Sequence, residues 1–163
     1  MSRPFLEAIF ITPRAGEPMM RVAEVEALAG VGLRGDRYAK GEGYYSPRDV
    51  CEVTLIEGEV LDAIKREHGI RIHQGQHRRN LVTRGLALRE MKGRRLRIGD
   101  VLLEYDRPRP PCDYVQRLTE PGMTRALGKG AGIGVRVLES GILREGDTIQ
   151  VLEGDPQSQR WLP

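Results

Sequence analysis

Glycine and proline interrupt this chain so often that most apolar runs are held to strand length. Twenty Gly and ten Pro fall among 163 residues, and the segments between them read as short strands joined by turns. Phe5–Ile11 is the first. Val22–Leu28 follows, with Glu24 and Glu26 alternating against Val25 and Ala27. A Gly-rich loop occupies 30–43, and Val50–Ile56 is the next strand. A helix is predicted from Glu57 to Glu67, because Val60, Leu61 and Ile64 share a face at helical spacing. Gly69 is placed to end it in the left-handed conformation that glycine tolerates.

Further on, Arg79–Thr83 reads as a strand and Leu86–Met91 as a turn or two of helix. Leu96 and Ile98 alternate with Arg95 and Arg97, Gly99-Asp100 turns the chain, and Val101, Leu103 and Tyr105 share a face. A short helix is expected from Asp113 through Leu118, then a strand at Val135–Leu138 and a closing one at Thr148–Leu152 after the Gly146-Asp147 turn. Strands at these intervals, without regular strand–helix alternation, predict a mainly β barrel or sandwich with a few short helices. The boundaries read as one domain over residues 1–153 and a tail over 154–163.

The composition, 39% hydrophobic and 30% charged, is that of a globular chain. No stretch is apolar enough to span a membrane. Thr12-Pro13-Arg14 stands where a signal peptide would need a cleavage site, so a cytoplasmic location is expected, and with it two reduced thiols, Cys51 and Cys112. Basic residues are Arg-rich, four Lys against 22 Arg. Arg71–Arg109 holds eleven Lys or Arg against four acids, a local charge of +7. Such asymmetry suits an anionic small molecule or a nucleic acid. Nucleic acid is the weaker reading, since Tyr105 is the one aromatic residue in that span that could stack on a base.

Several motifs fail on context. Gly30-Val31-Gly32-Leu33-Arg34-Gly35 satisfies a dinucleotide fingerprint, but the residues after it are poor helix material. Gly128–Gly134 lacks the ending of a phosphate-binding P-loop, which leaves an anion nest or a plain turn. His68, His73 and His77 lack the spacing of a metal site and read as ordinary surface or loop histidines. Cys51, among Val50, Val53 and Leu55, has the setting of a buried, inert thiol. Cys112 differs. Three prolines stiffen its approach and present it at a fixed place, while Arg107, Arg109 and Arg117 and the helix start that follows favour a thiolate, which Asp113 opposes.

In consecutive order, Gly32-Leu33-Arg34-Gly35-Asp36-Arg37, Val53-Thr54-Leu55-Ile56, Arg78-Arg79-Asn80-Leu81-Val82-Thr83-Arg84-Gly85-Leu86, Leu96-Arg97-Ile98-Gly99-Asp100, Pro111-Cys112 and the closing 141–147 segment resemble the blocks of the MOSC domain, the C-terminal domain of molybdenum cofactor sulfurases. The resemblance implies a MOSC-type β-barrel. It implies that Cys112 carries sulfur or ligates the molybdenum of a bound molybdopterin cofactor. It also implies that Arg78, Arg79 and Asn80, with Arg37 and Arg109, lie where the cofactor's anionic parts bind. A related expectation is reduction of N-hydroxylated compounds with the same cofactor. A non-catalytic anion- or nucleic-acid-binding module is the alternative from another class. The chain has no pyridoxal-phosphate desulfurase domain and no electron-transfer module, so a separate sulfur donor or electron-transfer protein is the expected partner.

Overall fold

The computed structural model describes residues 3–41, 51–111 and 113–154. Eleven strands and three short α-helices are present among them: β1 Phe5–Ile11, β2 Met20–Val22, β3 Glu24–Leu28, β4 Gly32–Leu33, β5 Val53–Glu57, α1 Gly58–His68, β6 Leu81–Arg84, β7 Arg94–Ile98, β8 Val101–Pro108, α2 Asp113–Leu118, α3 Met123–Leu127, β9 Ile133–Glu139, β10 Gly141–Arg144 and β11 Ile149–Glu153.

Eight strands form one sheet in the order β11-β7-β8-β9-β5-β6-β1-β2, and β10-β3-β4 form a second. All neighbouring pairs are antiparallel except β5 and β6, which α1 joins as a parallel crossover. The large sheet curls until β1 returns to the segment entering β11. There Leu6 N–H donates to Asp147 O at 2.8 Å and Gly146 N–H to Leu6 O at 2.7 Å, with a bridge between Phe5 and Thr148. The mainly β, barrel-like architecture expected from the punctuation is therefore present.

The core divides by the two faces of this sheet. Leu6, Ile9, Val53, Leu55, Leu81, Leu96, Ile98, Leu103 and Val135 fill the inside. Leu6 and Ile9 share that face despite their odd spacing because β1 bulges between Leu6 and Ala8. Outside, Phe10, Ile56 and Val82 meet Leu61 and Ile64 of α1, Val115 of α2 and Met123 of α3. Gly69 closes α1 with φ 64°, and its N–H bonds Lys65 O, as its position in the sequence indicates.

Three readings change. The segment over 22–28 is two strands in different sheets, broken at Ala23, because β2 pairs with β1 and β3 with β10. The Gly-rich loop read over 30–43 contains a strand, β4, which pairs with β3, while no helix follows the fingerprint-like run among the described residues, as its composition indicates. Helix α3 carries too few apolar repeats to show itself in the sequence.

Candidate functional site

The block His77-Arg78-Arg79-Asn80 enters β6, and its four side chains go to four different tasks. Asn80 is spent on the sheet: its Oδ1 accepts from Thr54 N–H and Thr54 Oγ1, and its Nδ2 donates to Phe10 O at 3.1 Å. Arg79 is 8% exposed. Its Nε donates to Ala131 O at 2.7 Å and its Nη2 to Arg109 O at 2.9 Å. Arg79 therefore ties the Gly-rich segment before β9 to the Pro-rich end of β8.

His77 lies in the loop between α1 and β6 but is fully buried, which corrects the surface part of its reading as an ordinary surface or loop histidine. Its ring meets Phe10 edge-on at 5.1 Å, and its Nδ1 accepts from Arg79 N–H at 2.9 Å. The neutral ring thus keeps its proton on Nε2. Burial, reinforced by the positive charge of Arg79, lowers its pKa to about 3.

Two members of the block keep a buried donor with no partner among the described residues, His77 at Nε2 and Arg78 at Nη2, and of these Arg78 carries the charge. Its backbone has φ 64°, the one positive φ of a non-glycine residue among those described. The residue is 7% exposed. Nη1 donates to Glu17 O, while the buried Nη2 has no acceptor among the described residues. Burial, and then the neighbouring Arg37, hold its pKa below the usual arginine range. A buried cation with an unsatisfied donor is costly. It lines a cavity of about 160 Å³ together with Gly16, Pro18 and Met19 from the β1–β2 loop, Gln74, Gly75 and Gln76, and Leu118 and Thr119 at the end of α2.

Arg37 joins this group. It is 4% exposed, donates to Arg78 O at 3.3 Å and to Tyr38 OH at 3.2 Å, and pairs with the buried Asp36 at 3.2 Å. Its guanidinium also lies 4.1 Å from the Tyr38 ring centre. Arg37 therefore braces the backbone on which Arg78 sits. Arg109 lies with Arg79 at the other group, where its N–H donates to Gly132 O at 2.9 Å. Thus Arg37 and Arg78 come together, Arg78 lining the cavity and Arg37 behind it on the Arg78 carbonyl, Arg79 and Arg109 meet at the Pro-rich segment, and Asn80 lies inside the sheet. Cys112 lies outside the described residues. In the chain it stands between that Pro-rich segment and α2, whose C-terminal end lines the cavity.

Cys51 is buried at 7% exposure. Of the Gly128–Gly134 alternatives, the structure displays a 3₁₀ turn over Gly128–Gly130 and two carbonyls, those of Ala131 and Gly132, engaged by arginine groups. No group of three His, Cys, Asp or Glu gathers among the described residues, and no helix there is long and apolar enough to cross a membrane. Part of the charge of the basic stretch is offset by carboxylates remote in sequence, and part within the stretch itself. Arg84 pairs with Glu7 and Asp62, Arg95 with Glu104, and Arg97 with Glu139. Sequence reasoning missed the cavity's neutral lining, whose one trace was the Gln74-Gly75-Gln76 run before the Arg-Asn block.

The MOSC domain family model matches residues 46–150. Among crystal structures, the chain is similar to the YuaD protein from Bacillus subtilis, with TM-score 0.76 and 18% identity over 94% of this chain and 98% of that one. It is also similar to YiiM from Geobacillus stearothermophilus, with TM-score 0.68 and 18% identity over 92% and 75% of the two chains. For YiiM from Escherichia coli the TM-score is 0.63 and the identity 17%, over 93% and 71%. No curated protein sequence matches.

Proposed function

This chain belongs to the MOSC domain family, and on that premise we propose that it binds molybdenum cofactor by its anionic end at Arg78, with Cys112 as the sulfur-bearing or molybdenum-ligating thiol. The observation that carries the reading is Arg78 itself, a residue that lines the cavity and whose buried Nη2 no described residue uses. An oxyanion supplies the acceptor and the opposite charge together. The cavity, about 160 Å³, is smaller than the roughly 300–1,000 Å³ pockets that enclose whole organic ligands. It suits one terminal phosphoryl group, the part of molybdopterin that needs a cation.

Arg78 would hold that group, Arg37 would keep Arg78 in place, and the Gln76 amide and Thr119 hydroxyl would line its uncharged side. When bound, the cofactor supplies a two-electron redox centre. What the chain adds is a soft sulfur ligand or carrier at Cys112. Electrons or sulfur would come from a separate donor protein.

The test is mass and metal analysis of protein made in a host that synthesises the cofactor. Molybdenum and pterin should copurify with the chain and fall at least tenfold in a folded Arg78→Gln variant. Cys112→Ser should leave the fold intact and remove either bound molybdenum or the labile sulfane sulfur, according to which role the thiol has. Undiminished cofactor in folded Arg78→Gln protein would count decisively against the reading. Metal content separates a reductase, which holds molybdenum through turnover, from a carrier, which holds sulfane sulfur.

A further inference from the structure

The guanidinium of Arg79 reaches segments from three parts of the chain. It starts from the entry to β6, donates through Nε to Ala131 O at 2.7 Å, and through Nη2 to Arg109 O at 2.9 Å and Pro110 O at 3.5 Å. The backbone closes the same junction, because Arg109 N–H donates to Gly132 O at 2.9 Å. Arg79 is 8% exposed and is not among the residues lining the cavity at Arg78. Its orientation is itself held, since its own N–H is bound by His77 Nδ1 at 2.9 Å.

Among the described residues its acceptors are backbone carbonyls, and they lie where the chain must be fixed. Arg109 and Pro110 are the third and second residues before Cys112. Both prolines of Arg109-Pro110-Pro111 lack an N–H and cannot be anchored by backbone donation, so carbonyls are the handles on this segment, and Arg79 takes those of Arg109 and Pro110. We propose that Arg79 is a positioning residue that fixes the approach to Cys112 against the Gly-rich segment, and so sets the reactivity of that thiol. The inference rests on Cys112 being the reactive thiol of the proposed function, and it gives Arg79 a task apart from the cofactor's anionic end.

Lysine separates geometry from charge here. One ammonium keeps the positive charge but cannot occupy both the Nε and the Nη2 positions of the guanidinium. Alkylation of cofactor-free protein by iodoacetamide, followed across pH on the Cys112 peptide by mass spectrometry, reads the outcome. Arg79→Gln and Arg79→Lys should each change the alkylation rate at neutral pH at least threefold and move the midpoint of the pH profile, and Lys should not rescue. A wild-type profile in folded Arg79→Lys protein would assign the effect to charge and overturn the proposal, as would two folded variants with no change.

A second measurement needs no variant. The Arg79 Nε–H of wild-type protein should exchange slowly with solvent by ¹⁵N NMR, because it is bonded to Ala131 O. Fast exchange would remove the latch. Since both experiments use cofactor-free protein, a failure of cofactor binding at Arg78 does not alter what they measure at Arg79 and Cys112.

Discussion

Asn80 and Thr54 bind each other in both directions. Asn80 Oδ1 accepts from Thr54 N–H at 3.0 Å and from Thr54 Oγ1 at 3.1 Å, while Asn80 N–H donates to Thr54 Oγ1 at 3.0 Å. Both residues are fully buried, and the Asn80 amide also reaches β1 at Phe10 O. One side chain therefore fastens β5, β6 and β1, the strands against which the cavity-forming loops are set.

Asn80→Ala should consequently be costly without touching any ligand. It leaves Thr54 N–H and the Thr54 hydroxyl short of their acceptor inside the sheet, a penalty of about 2–4 kcal/mol. Urea denaturation reads it as a lower midpoint. Asn80→Asp should be no better, since it buries a carboxylate and loses the donor to Phe10 O.

His77 should make the fold acid-sensitive. Its pKa is 6.5 ordinarily and about 3 in the folded chain, so between those values the unfolded chain binds the extra proton. Stability then falls as pH drops from about 6.5 toward 3, by at most about 1.4 kcal/mol per pH unit from this group. His77→Gln, which can still accept from Arg79 N–H, should flatten that part of the profile. Unfolding free energies of both proteins between about pH 4 and 7 provide the comparison, and parallel profiles would exclude His77 as the source.

Gly132→Ala should disrupt the junction where β9 begins. Gly132 has φ 105°, and a Cβ there would stand 2.0 Å from Leu55 O. Neither the backbone angle nor the strand opposite can give way cheaply, so a loss of more than about 3 kcal/mol is expected. Thermal unfolding should show it, with Gly69→Ala milder, because Gly69 sits in the left-handed helical region at φ 64°, which costs alanine about 1–2 kcal/mol, and nothing lies within 4 Å of its Cβ position.

What was legible in the sequence was local. The stop of α1 at Gly69, the Gly99-Asp100 turn between β7 and β8, and the alternation of Leu96 and Ile98 depend on neighbours a few residues away. What was not legible depends on partners far along the chain. Ala23 breaks a strand because β2 and β3 belong to different sheets. His77 is buried because Phe10 of β1 covers it. The described acceptors of Arg79 are carbonyls, which leave no residue signature, and the +7 stretch is partly offset by carboxylates such as Glu7 and Glu139 from other strands. Arg78 was singled out by its block, but its neighbour Arg79 looked equivalent. The two guanidiniums go to different places, Arg78 to the Glu17 carbonyl and Arg79 to those of Ala131 and Arg109, and the backbone turns at Arg78 between them.

That turn sets stability against binding at one residue. Arg78 holds φ 64°, which costs a non-glycine residue roughly 1–2 kcal/mol, and it buries a charge with an unused donor. Such strain persists at sites where a side chain is needed in a fixed direction. Arg78→Gly should relieve both penalties, losing in exchange the bond to Glu17 O. Arg78→Ala removes the same side chain but keeps the strain. The glycine variant should therefore be about 1 kcal/mol more stable than the alanine variant, while both lose cofactor. Equal stability of the two would mean that the backbone at residue 78 carries no strain. Cofactor retained in either folded variant would mean that the guanidinium is not what the anion binds.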